Sequence, residues 1–528
     1  MNRRPSRPAF AVLALLLLPV LAKPAPAFTR LEGEYYLQVD MRKQDRRYEW
    51  DFDSNSNDTY NNMQFRLFSQ PVPGLEAFTK FEAEWNTGSN SNRRPLFQYR
   101  EAHIRYNRDR DGRGVEAYLF SRQDRFWVDN HLIQVVQGGP SNDGGNAQGA
   151  RLNLWTRNPV LGVSGNTYLS FVASDFSSQS NSSTGALPDR PSATDDAYVG
   201  RLRREFLDGK LRTGLTWNRK NTVRRPGVDQ ASVTEVWAGD LRYTFHDIDF
   251  SLEYAEGQQR TEGGDYASDA MDLSKFSLRH PEDGLPDDAV VKAEIRSLRV
   301  GDYRAGYLNI APSCWYLGPG YRNQLGDGNS DENGYYLNTW YLVPGRAITL
   351  TNNYLSYTKR VNQNRHVTEF YSEAYVEFVN GFTSKLFYRK RTTRDWQSDG
   401  RTTVKKVTDN DDVFAEMQVE NKLAWLRLQF RIRDMDTVFQ KELSSFETSV
   451  NLSRTLKMYN RFTFGNDPAR LRKGLFSELQ YRPRPNLELF LAYGPFWIGG
   501  GSNPVYEGNL EGSADNKDLV RLTLKGTF

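Results

Sequence analysis

Cysteine is all but absent. Cys314 is the single one in 528 residues, so no internal disulfide can form, although an exported soluble protein of this length could use several. Histidine is scarce too: His103, His131, His246, His280 and His366 are spread along the chain, and no H-E-x-x-H spacing occurs. G-x-S-x-G and phosphate-loop spacings are also missing, which removes the signatures of metallopeptidases, serine hydrolases and P-loop nucleotide enzymes. The chain is therefore expected not to be an enzyme and to hold no metal or cofactor. Charge of one sign is lacking as well: 69 basic against 65 acidic residues leave a formal +4, no footprint for nucleic acid. Beyond residue 27, no apolar run approaches the ~18 residues of a transmembrane helix.

What is abundant is aromatic. Phe, Trp and Tyr make up 13% of the chain at a mean hydropathy of −0.70. A polar average with many aromatics suits alternating strands better than helices. "AWLRLQFRIR" sets Leu426, Leu428, Phe430 and Ile432 against Arg427, Gln429, Arg431 and Arg433 with a period of two. "RLEGEYYLQVDM", "VVKAEIRS" and "NLELFLAY" repeat that alternation. Ahead of them, "MNRRPSRPAF" carries Arg3, Arg4 and Arg7, an apolar run follows from Phe10 to Ala22, and Ala25 and Ala27 make an A-x-A site. Residues 1–27 read as a secretory signal peptide, with Phe28 as the mature first residue.

Connectors of two kinds separate the strands. Asp208-Gly209, His246-Asp247, Pro344-Gly345, Asn380-Gly381 and Asn421-Lys422 are tight, and Gly and Asn tolerate the positive φ that two-residue hairpins require. The stretches 42–58, 177–196, 258–287, 312–333 and 496–517 are long and polar. The two kinds alternate, the pattern of an all-β, up-and-down antiparallel barrel with short turns on one rim and long extracellular loops on the other. Counting under that alternation predicts about 24 strands, within a range of about 18 to 26, in a single transmembrane β-barrel domain over 28–528. No plug domain is expected ahead of the first strand.

In lipid every backbone N–H and C=O needs a partner, so the sheet must close and its last strand must pair with its first. The ending "DLVRLTLKGTF" places Val520, Leu522, Leu524 and Phe528 on one parity, with Arg521, Thr523, Lys525 and Thr527 on the other. It resembles the C-terminal signature of bacterial outer-membrane proteins. That resemblance implies a place in the cell outer membrane, contact with its lipid and lipopolysaccharide, and recognition by the barrel-assembly machinery through the strand ending in Phe528.

With the apolar parity against lipid, Lys292, Glu294, Arg296, Glu373, Glu377, Lys385, Arg389, Arg427, Arg431 and Arg433 are predicted to line the pore. There they either select solutes by charge or pair into ladders that stiffen the wall. Glu294, Glu373 and Glu377 are the carboxylates expected to offset the arginines. The run "FQYREAHIRYNRDRDGRGVEAYLFSRQDRFWVDNHLI" is similar to the REA…GRQ run of alginate-export-like porins: Arg100-Glu101-Ala102 and Arg122-Gln123 match, and Ser121 stands in place of the glycine. The resemblance implies that Arg122 and Gln123 sit at a constriction. The segment "DRFWVDNHLIQVV" is too apolar for an open loop and is expected to fold inward and narrow the pore. Asp51 and Asp53, and Asp327 and Asp331, alternate as calcium ligands do, but the second loop lacks the turn glycine and distal Glu of an EF-hand, so these carboxylates are read as solvated.

The function predicted on these grounds is that of a porin-like channel for diffusion of hydrophilic solutes, with anions favoured at the narrowest part. Two alternatives stay open: an export conduit for an anionic polysaccharide working with periplasmic partners, and a barrel scaffold or adhesin whose external loops bind ligands.

Overall fold

A computed structural model of the chain describes residues 28–528, apart from 45–46, 51–59, 87–95, 124–127, 130–131, 137–146, 158–164, 177–194, 223–230, 247, 262–286, 303, 326–330, 344–346, 360–363, 399–402, 436, 439, 467–472 and 495–518. Residues 1–27, expected to be a signal peptide, and most of the long polar stretches thus lie outside the described residues. Strands fill most of the rest. The first nine are β1 (Phe28–Gln44), β2 (Arg47–Trp50), β3 (Tyr60–Val72), β4 (Leu75–Asn86), β5 (Leu96–Arg110), β6 (Arg113–Ser121), β7 (Ala147–Thr156), β8 (Thr167–Phe176) and β9 (Asp195–Phe206). Next come β10 (Leu211–Thr222), β11 (Ser232–Phe245), β12 (Ile248–Thr261), β13 (Ala289–Ile295), β14 (Leu298–Asp302), β15 (Gly306–Leu317), β16 (Glu332–Val343), β17 (Ala347–Lys359) and β18 (Arg365–Val379). The last are β19 (Phe382–Ser398), β20 (Thr403–Glu420), β21 (Ala424–Arg433), β22 (Lys441–Asn451), β23 (Leu456–Gly465), β24 (Lys473–Arg484), β25 (Leu487–Tyr493) and β26 (Val520–Thr527).

β1 pairs with β3 from Phe28↔Gln70 to Gln38↔Tyr60, and with β26 from Glu34↔Thr527 to Met41↔Val520. The sheet therefore closes on itself and leaves no edge. The segments make a closed antiparallel barrel of 24 strands, because β2 pairs only with the far end of β1 and β13 and β14 follow one another along β15. Two of the expected loops are shorter than the sequence pattern predicts. Within 42–58 the chain continues as strand to Gln44 and turns back at Gln44↔Arg47. Within 312–333, β15 runs through Pro312 to Leu317. β13 meets β15 as far as Glu294↔Ser313, and β14 resumes at Leu298↔Ile310. Pro312 lies opposite the gap, and the ladder breaks where the proline has no N–H to give.

Alternation sorts the side chains. On β21, Leu428 and Phe430 are each 44% exposed on the outer face, whereas Gln429 and Arg431 are 4% and 3% exposed on the inner one. The same parity holds on β8, with Leu169 and Phe171 outside and Val172 inside, and on β26, with Leu522 outside and Thr523 inside. The outer set forms the apolar belt that a bilayer covers. At the short-turn rim, hairpins end on apolar cross-strand pairs: Val72↔Leu75, Phe206↔Leu211, Phe245↔Ile248 and Val379↔Phe382. Rings at this level sit among lipid headgroups. Across the seam, Gly33 and Phe528 exchange backbone hydrogen bonds of 2.9 and 3.0 Å. The Phe528 ring lies over Gly33, where any Cβ would strike it, and edge-on to Phe65 at 6.1 Å.

Candidate functional site

Residues 128–129 and 132–136 lie against the inner wall. Val128 and Val136 pack with Phe120, Ala147, Val172, Ala197, Val199 and Leu325. Ile133 and Val135 pack with Val236, Ala238, Ala255, Val290, Leu317 and Tyr321. A chain laid on a wall without strand pairing must satisfy its backbone otherwise. Glu253 Oε2 accepts the N–H groups of Leu132 and Ile133 at 2.8 and 2.9 Å. The Val135 carbonyl accepts from Asn218 Nδ2 and Asn323 Nδ2, both at 2.8 Å, and the Leu132 carbonyl from Lys292 Nζ at 3.0 Å. Arg201 donates to the Asp129 carbonyl, and Arg203 pairs with the Asp129 carboxylate.

Asn323 belongs to a second inward segment, 318–325, which the sequence pattern places in an outer loop. Its backbone docks on the wall through Gly318 N to Ala289 O at 2.8 Å, Gly320 N to Asp287 O at 2.7 Å and Arg322 N to Gly257 O at 3.2 Å. Gly257 permits the approach: a Cβ there would meet the Arg322 carbonyl, and the Tyr321 ring at 2.8 Å. Asp331 follows this fold and is buried, its N–H on Gly318 O at 3.3 Å, rather than solvated. Asp51, Asp53 and Asp327 lie outside the described residues. Among the described residues no cluster of His, Cys, Asp or Glu is placed to hold a metal.

Arg122 and Gln123 follow β6 and are tied to β5 and β7. Arg122, at a left-handed φ of 54°, donates to the Tyr99 carbonyl. Gln123 is buried, donates to Glu101 Oε2 at 2.8 Å and takes its backbone bond to Ala147 O at 3.1 Å. A register shift between Lys80↔Glu101 and Phe81↔Tyr99 leaves Arg100 as the extra residue, and Arg100 pairs with the inner carboxylate of Glu82.

The remaining pore-lining candidates divide between two walls. Lys292 holds the inward segment, and Glu294 and Arg296 pair with each other at 2.5 Å. On the wall of β18–β23, Lys385 pairs with Glu373 at 2.9 Å, and Glu377 accepts the Gly381 N–H at 3.4 Å beside the short turn. The carboxylates that meet Arg389, Arg427 and Arg431 are not the three expected. Asp412 takes Arg389 and, at 2.8 Å, Arg431. Glu447 takes Arg427 at 2.7 Å and Arg461 at 3.3 Å, with the Tyr459 hydroxyl at 3.0 Å. Arg433 lies further along the same face, opposite Lys441. Asp412, Glu447 and Arg461 carry the same alternating parity in "DDVFAEM", "SSFETSVN" and "YNRFTFG", so the signal was present; which strands lie side by side with which offset was not.

No family model and no curated protein sequence matches this chain. Solved structures do. A P pilus tip assembly intermediate of E. coli containing PapC aligns at 10% identity and a TM-score of 0.51, over 97% of this chain and 62% of that one. The P pilus usher PapC translocation pore aligns at 8% identity and 0.40, over 95% and 99%, and the siderophore receptor PirA of Pseudomonas aeruginosa at 9% and 0.44, over 96% and 81%. These are likenesses of fold. A closed 24-strand barrel with an apolar outer belt and a charged inner face is a β-barrel of the cell outer membrane.

Proposed function

We propose that this barrel is an outer-membrane channel through which hydrophilic solutes diffuse, that it favours anions along the β18–β23 wall, and that it does no chemistry on them. The observation that carries the reading is the sharing of single carboxylates between pairs of arginines on that wall. Arg389 and Arg431 share Asp412, and Arg427 and Arg461 share Glu447. Each set places two guanidinium groups against one shared carboxylate, and guanidinium does not deprotonate at working pH. Such groups bind carboxylate and phosphate through paired hydrogen bonds and form stepping sites for anions. The inward segments add to the reading, since they fill the lumen beside β8–β13 and direct solutes toward β18–β23.

Planar-bilayer recording in a salt gradient tests this. The wild type is expected to conduct with an anion-selective reversal potential, and Arg427→Ser with Arg431→Ser to move that potential toward cations. A cation-selective wild type, or an unmoved double variant, removes the anion preference. A barrel that never conducts removes the channel and leaves the scaffold alternative.

A further inference from the structure

The β5–β6 hairpin departs from the rest of the short-turn rim. Its last cross-strand pair before the turn is Arg110↔Arg113, and the next pair on that face is Arg108↔Val115. These positions share parity with Ile104, which is exposed on the apolar belt, whereas Arg105 on the other parity turns inward to Glu116 at 3.2 Å. Three guanidinium groups therefore stand on the outer surface, at the level where Phe206, Phe245 and Phe382 end their hairpins. Like charges directly opposite on a ribbon repel and weaken it. Asp111, with Oδ2 3.6 Å from Arg110 Nε, brings a carboxylate from the turn beside Arg110. Between them lies an open cavity of about 690 Å³, lined by Arg108, Arg110, Asp111, Arg113, Gly114 and Val115.

We propose that this cavity binds the phosphate of an anionic phospholipid in the leaflet at the short-turn rim. Arginine forks match phosphate oxygens in geometry and charge. An anion seated among Arg108, Arg110 and Arg113 offsets the repulsion that the hairpin otherwise carries. The volume suits a glycerophosphoryl headgroup. Above the cavity, Leu154 pairs with Val115 and Leu152 with Ala117, and both leucines are exposed, so acyl chains have an apolar surface to follow. Soluble phosphate shares the headgroup chemistry but makes no use of that surface, which favours the lipid.

Native mass spectrometry of the full barrel released from nanodiscs of equimolar phosphatidylglycerol and phosphatidylethanolamine tests the site. The wild type is expected to retain phosphatidylglycerol in preference. Arg108→Ser, Arg110→Ser and Arg113→Ser should lower that preference by roughly five-fold per arginine removed, the contribution of one basic side chain near an anionic surface. Asp111→Asn removes the competing carboxylate and should raise retention. Faster gel mobility unboiled than boiled shows that each variant is still a closed barrel; should the triple variant not assemble, Asp111→Asn decides, and unchanged retention there overturns the site. Equal retention by wild type and triple variant overturns it as well. Inorganic phosphate adducts without retained lipid would assign the cavity to a soluble anion and overturn the lipid.

Discussion

Between β8 and β13 the inner face carries Val172, Val199, Val236, Ala238, Ala255 and Val290; between β18 and β23 the same face of the same sheet carries Lys385, Arg389, Asp412, Arg427, Arg431, Glu447 and Arg461. The first wall carries apolar patches where an open channel would be wet, set among polar anchors such as Glu253 and Asn218, and it is the wall on which 128–129, 132–136 and 318–325 lie. Burying a valine or leucine side chain contributes about 1.5–3 kcal/mol, so such a wall repays the ordering of a segment placed on it. On the second wall charges answer one another across the strands, and Asp412, Arg431, Glu447 and Arg461 bury one another as they pair. Its buried rings fit the same account: Phe387 and Phe414 stack at 5.0 Å, and the Arg431 guanidinium covers Phe387 at 5.4 Å. Apolar residues facing a lumen are thus a footprint of whatever covers them.

The comparison breaks most visibly at Glu253. Glu253→Ala leaves the buried Leu132 and Ile133 N–H groups without their acceptor, at about 1–3 kcal/mol each. The first inward segment should undock, and single-channel conductance should rise. Glu253→Gln keeps an oxygen that can accept both bonds and should stay near wild type. An alanine variant that conducts as the wild type does would mean that the segment does not narrow the passage.

A smaller effect sharpens the other wall. Arg at Leu428, on the lipid face, should cost about 2–4 kcal/mol near the midplane. Leu at Arg427 should leave assembly largely intact, because Glu447 keeps Arg461 at 3.3 Å. Denaturant midpoints of the two reconstituted barrels check this, and equal losses would mean that the faces have been exchanged.

How much of this was legible depended on range along the chain. The parity of β21 and the tight turns at 208–209 and 380–381 follow from neighbouring residues, and they suffice for a closed barrel. The apolar 128–136 announced that it would not stay in water. Its wall did not show, because Glu253 lies 120 residues from Ile133 and nothing local marks that carboxylate as an acceptor for two N–H groups. Asp412 and Glu447 were missed for a related reason. Pairing them with arginines needs the offset between strands, which bulges such as the one at Arg100 reset. Pro312 misled because a proline reads as a loop unless the neighbouring strand breaks to accommodate it.

The finest test asks whether the covered wall is one footprint or two. Asn218 on β10 and Asn323 on the second inward segment donate to the same Val135 carbonyl, each at 2.8 Å. A carbonyl has two lone pairs, so removing one donor leaves it bonded. Asn218→Ala should therefore cost about 0.5–1.5 kcal/mol of docking. Asn323→Ala should cost more, since Asn323 also donates to the Tyr321 hydroxyl at 3.2 Å and accepts the Leu325 N–H at 3.1 Å. Removing both strips the carbonyl, and the double variant should lose more than the two single losses combined, by about 0.5–3 kcal/mol. The readout is the fraction of time spent in a high-conductance substate, taken through the four members of the cycle. Additive losses would mean that the two segments hold the wall independently; excess loss in the double variant means that 128–136 and 318–325 dock as one interlocked unit.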